Sequence, residues 1–102
     1  MTSNSVQQMI PQIQAFLQSQ PVKKAWLFGS CSRGEDRPDS DVDILVEYKD
    51  SENISLLAIS RIMCSLRRIL GRKVDLVEEG CILPFAEQSI HQDKILIYEG
   101  TN

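Results

Sequence analysis

Gly29-Ser30-Cys31-Ser32-Arg33-Gly34-Glu35-Asp36-Arg37-Pro38-Asp39-Ser40-Asp41-Val42-Asp43-Ile44-Leu45-Val46 is the stretch on which the reading of this chain turns. Asp41 and Asp43 are separated by one residue at the start of an apolar run that reads as a strand. The two-residue period of a strand aims both carboxylates at one face. Neighbouring carboxylates repel unless a cation lies between them, and Mg²⁺ is readily held by a couple of carboxylates completed by substrate phosphates. At the other end, Gly29 and Ser30 follow a second apolar run. A residue without a Cβ lets backbone approach a phosphate closely, and a hydroxyl with nearby N–H groups can hydrogen-bond it. A helix beginning after Ser30 would add its dipole. Gly34 permits a turn back towards the acidic pair, and Arg33 can offer positive charge to a triphosphate, although an arginine in a polar loop is often only solvated.

Outward from the motif, Lys23 to Phe28 predicts the strand that delivers Gly29, and Val42 to Val46 a buried strand. Upstream, Val6, Met9, Ile10, Ile13, Phe16 and Leu17 recur at helical spacing, with Ser3 or Ser5 as candidate caps. Pro11 should kink this helix or stand in its first turn. Downstream, Leu56, Ile59, Ile62, Met63, Leu66, Ile69 and Leu70 line one side of a helix that Gly71 can end, with Arg61, Arg67, Arg68 and Arg72 on its other faces or its end. Lys73 to Val77 predicts a third strand, Pro84 to His91 a short helix and Lys94 to Tyr98 a last strand. The order is helix, strand, strand, helix, strand, helix, strand. It specifies an α/β (α+β) class, a small mixed twisted sheet with helices packed against it, in one domain spanning 1–102. Strand order does not follow from it.

Composition narrows the partners. The 102 residues carry 11 Lys+Arg against 14 Asp+Glu, a formal net charge of −3, which is not the cationic footprint of a nucleic-acid-binding protein. No apolar run approaches the ~20 residues a membrane span needs, so a cytoplasmic protein is expected. Cys31, Cys64 and Cys81 fit neither a disulfide framework nor a zinc pattern and read as small apolar fillers; even if its place in the motif gave Cys31 access to solvent, it has no activating neighbour.

Rival readings weaken against the same residues. An EF-hand loop starting at Asp39 needs glycine where Ile44 stands, and no Gly-Lys-Ser/Thr is present for a P-loop. Asp75, alone between Val74 and Leu76, calls for a partner; a metal, a Lys or Arg, or a role as base for an attacking hydroxyl are all open to it. His91, with no ligand constellation around it, reads as a solvent-facing helix-end residue. Trp26 and Phe28 read as core.

Gly29-Ser30, a glycine four positions after the serine, Ser40-Asp41-Val42-Asp43-Ile44 and a later strand aspartate together resemble the polymerase-beta-type nucleotidyltransferase superfamily. Within it the chain is similar to minimal nucleotidyltransferases. The resemblance implies that Gly29, Ser30, Arg33 and Ser40 contact the nucleotide, that Asp41, Asp43 and Asp75 form the catalytic carboxylates, and that they hold two Mg²⁺ ions. It implies ATP as the nucleoside triphosphate and transfer of AMP to a hydroxyl. It also implies an acceptor supplied by a partner, as in two-gene toxin–antitoxin modules where the antitoxin adenylylates a tyrosine of a HEPN ribonuclease. Two further options stand beside it. One is a non-catalytic module of this fold that silences a partner by contact. The other is a small-molecule transferase that borrows its acceptor pocket from a second copy in a homo-oligomer.

Overall fold

Two amphipathic helices and a four-stranded mixed sheet contain most of the buried apolar side chains in the computed structural model, which describes residues 4–34, 41–50, 52–80 and 84–100. Helix α1 (Asn4–Leu17) leads to β1 (Val22–Phe28), a single turn α2 (Ser30–Arg33), β2 (Val42–Tyr48), α3 (Leu56–Leu70), β3 (Val74–Glu78), α4 (Pro84–Asp93) and β4 (Ile95–Glu99). The sheet order is β3-β2-β1-β4. β1 runs antiparallel to both β2 and β4, while β2 and β3 are parallel, joined through α3 as a parallel pair requires.

One face of the sheet builds the core. Ala25 and Leu27 of β1, Val42, Ile44 and Val46 of β2, Val74 and Ile97 meet Val6, Met9, Ile13 and Leu17 of α1 and Ile62 and Leu66 of α3. Each of the larger apolar side chains among them contributes roughly 1.5–3 kcal/mol on burial. That drive outweighs Pro11, which lies inside α1 rather than in its first turn. The proline withholds one helical N–H, but the stripe from Val6 to Leu17 holds the helix on the sheet. Ser5 is the second residue of the helix, past the cap position, and Ser3 lies outside the described residues. Helix α3 begins and ends on side-chain and backbone caps. Ser55 Oγ accepts from the Ala58 N–H at 3.0 Å, and Gly71, at φ 65°, donates its N–H to the Arg67 carbonyl.

The alternate residues of β1 face the other way. Trp26 and Phe28 are half-buried outside the core cluster, because the strand period gives the core side to Ala25 and Leu27; they are not the core residues that their apolar neighbours suggested. Lys94, just after α4, places its Nζ 4.7 Å from the Trp26 ring centroid. His91 is not simply solvent-facing either: it is half-buried in the last turn of α4, 3.7 Å from Glu79 and 3.9 Å from Glu87. Cys64 is exposed, so it fills no core gap, whereas Cys31 is buried in the core as a small filler would be; Cys81 lies outside the described residues. No described helix is long and apolar enough to cross a membrane.

Candidate active site

β1 delivers Gly29 to the point where β2 begins. In the antiparallel ladder Phe28 pairs with Asp43, so the glycine that follows Phe28 falls beside that carboxylate. The approach is close enough to forbid a side chain: a Cβ on Gly29 would stand 2.5 Å from Asp43 Oδ2. The backbone there, at φ 72° and ψ −151°, lies in a region that only glycine occupies freely. Gly29 therefore combines two needs, an unusual turn and room for a carboxylate.

The turn is pinned from behind. Ser32 Oγ donates to the Gly29 carbonyl at 2.8 Å, and the Ser32 N–H reaches the same oxygen at 3.1 Å. Cys31 Sγ donates to the Asp41 carbonyl at 3.7 Å, which ties α2 to the start of β2. Neither Cys31 nor Ser32 stood out in the sequence as part of the site. The signal for Ser32 was present nonetheless, since a serine three residues after a turn residue can bond back to its carbonyl.

Asp41 precedes β2 by one residue, and the ladder is already formed at Val42, whose N–H donates to Lys73 O at 2.8 Å. The parallel register sets Asp43 against Asp75, so these two carboxylates come from adjacent strands on one face. Asp41, Asp43 and Asp75 are all half-buried, able to meet both the protein and a ligand. Ser30 is half-buried at the first position of α2. That helix is one turn long, too short for the helix dipole expected after Ser30 to add much. Arg33 is its last residue, and Gly34, at φ 74°, caps it. Ser40 lies outside the described residues.

This donor set suits a hard divalent cation that shares its shell with phosphate. Carboxylate oxygens are hard donors, and the Asp43 carboxylate takes the space that a Gly29 Cβ would need, with Oδ2 2.5 Å from that position. Among the described residues no three His, Cys, Asp or Glu side chains are grouped to hold an ion by themselves. Among the described residues, then, an ion at this place would have at most two side chains of this kind grouped around it.

Comparison with known proteins fits this geometry. The family described as Polymerase beta, Nucleotidyltransferase matches residues 11–101. A Methanocaldococcus jannaschii protein with the provisional name protein adenylyltransferase is 39% identical over 77 residues, which cover 74% of this chain and 77% of that protein. A solved structure provisionally described as a minimal nucleotidyltransferase superposes with a TM-score of 0.75 at 28% identity, covering 93% of this chain and 95% of that one. In a solved complex of a tri-AMPylated Shewanella oneidensis HEPN toxin with an MNT antitoxin, the similar chain gives a TM-score of 0.69 at 23% identity. The match covers 94% of this chain and 73% of that one, and it is a likeness of fold.

Proposed function

The chain belongs to the polymerase beta nucleotidyltransferase family, and from that premise we propose that it moves AMP from ATP, with Mg²⁺, onto a tyrosine hydroxyl of a HEPN-type toxin that it neutralises. The observation that carries this reading is the packing of a side-chain-free Gly29 against Asp43, with Asp75 in register beside it. The transfer to a protein and the partner class are supported by the relatives: the Methanocaldococcus jannaschii protein bears the adenylyltransferase name, and the Shewanella oneidensis complex holds an AMPylated HEPN toxin; the tyrosine is what the family resemblance implies. Residues 1–102 act as one domain in the cytoplasm and borrow the acceptor from the partner.

In this reading Gly29 and Ser30 seat the triphosphate with its α-phosphorus near Asp41 and Asp43, and Arg33 and Ser40 add contacts to the nucleotide. Asp41, Asp43 and Asp75 would hold two Mg²⁺ ions, which when bound offset phosphate charge and make the acceptor hydroxyl more acidic. The tyrosine oxygen bonds to the α-phosphorus as the bond to the bridging oxygen of the β-phosphate breaks. Pyrophosphate leaves in line. Asp75, on the neighbouring strand, takes the hydroxyl proton.

Mass spectrometry of the HEPN partner after incubation with the chain, ATP and Mg²⁺ tests the proposal. AMP added to a tyrosine by the wild-type chain, and not by a chain with Asp41→Ala plus Asp43→Ala, is the expected result. A toxin silenced in a tight complex with no AMP attached would replace transfer with inhibition by contact.

A further inference from the structure

We propose that Ser32 is a positioning residue for the nucleotide's triphosphate, acting through the backbone of Gly29; the inference rests on the transfer reading above. Ser32 is 5% exposed and is the buried polar residue among those described. A hydroxyl taken out of water must find a partner, and this one finds the Gly29 carbonyl at 2.8 Å, where the Ser32 N–H also arrives at 3.1 Å.

That oxygen belongs to the peptide joining Gly29 to Ser30. In a trans peptide the C=O and N–H point in opposite directions. Holding the carbonyl against Ser32 therefore fixes the Ser30 N–H on the far side of the plane, away from α2. The same pair of bonds keeps Gly29 at φ 72° and ψ −151°, the conformation in which its Cα faces Asp43. Glycine has the widest conformational freedom of any residue, so an unpinned turn here would sample many orientations. Ser32 thus removes the freedom of Gly29, whose backbone makes the close approach, and with it sets the direction of the donor that follows, the Ser30 N–H. Cys31 assists from the adjacent position by holding the Asp41 carbonyl, so the turn, closed on itself by Ser32, is also tied to the residue that leads into β2.

A merely structural role predicts something different, because alanine is a better helix former than serine and fits where serine fits. Calorimetric titration of ATP with Mg²⁺ into the full chain, alone and with the HEPN partner present, separates the two when melting temperatures are recorded in parallel. Ser32→Ala is expected to weaken ATP binding about three- to tenfold, the scale of one lost hydrogen bond, with its melting temperature close to wild type. Ser32→Thr, which keeps the hydroxyl, is expected to restore the affinity. Ser32→Ala binding ATP as tightly as wild type overturns the inference, and so does a loss of affinity that tracks a fall in melting temperature. A wild-type chain that binds no ATP under either condition overturns the transfer reading itself, an outcome distinct from the other two.

Discussion

A methyl group on Gly29 would sit 2.5 Å from Asp43 Oδ2 and would have to adopt a backbone conformation that non-glycine residues avoid. Gly29→Ala is therefore expected to cost on the order of 1–3 kcal/mol of stability from backbone strain. Denaturant unfolding measures that cost, and AMP transfer should fall with it as Asp43 is displaced. Asp43→Asn keeps the shape and removes the charge; transfer is expected to drop by on the order of a hundredfold or more with little change in unfolding, and chelation of Mg²⁺ should mimic it in the wild type. The spacing of Asp41 and Asp43 and the Gly29-Ser30 pair were legible because strand periodicity and the missing Cβ have fixed geometric meanings. What the sequence left unread was the reason for Gly29. A phosphate was expected to need the open space, and the structure adds the Asp43 carboxylate as its immediate neighbour. That contact joins residues on two strands and has no signature along the chain.

At the scale of elements, the caps carry the clearest consequences. Ser55 Oγ supplies a partner for the Ala58 N–H in the first turn of α3. Ser55→Ala is expected to destabilise the chain by about 1 kcal/mol, read as a lower denaturant midpoint, without altering AMP transfer, since α3 packs on the core face of the sheet. Helix α3 runs from Leu56 to Leu70, the span its apolar spacing and Gly71 predict. Periodicity worked there because the helix is long enough to show it. It failed for α2, a single turn of four residues with no repeat to detect. It also misled at Trp26 and Phe28, where a run of apolar neighbours concealed that β1 has two faces and that only one meets α1 and α3.

Over the whole molecule, the pairing of β2 with β3 matters most, because it alone brings Asp75 beside Asp43. Strand order is non-local, set by how α3 crosses the sheet, and so could not be read from element order. The same core sets an alkaline limit on the fold. Burial, and then the nearby Glu78 charge, push the Tyr48 hydroxyl up from its usual 10.0 to about 12. Between those values the unfolded chain has released this proton while the folded chain keeps it. Stability from Tyr48 is thus fully present below pH 10 and is lost as pH rises towards 12, by roughly 2–3 kcal/mol. Unfolding curves at pH 9 and 11.5 check this, and Tyr48→Phe should flatten the part of the slope that the phenol contributes. At this scale the glycine turn and the carboxylates of Asp41, Asp43 and Asp75 are expected to close around one triphosphate. Crystals grown with a non-hydrolysable ATP analogue and Mn²⁺ test it most directly. Anomalous signal bonded to Asp41 and Asp43, with the triphosphate lying along Gly29 and Ser30, is the expected result; metal and triphosphate bound anywhere else would contradict it.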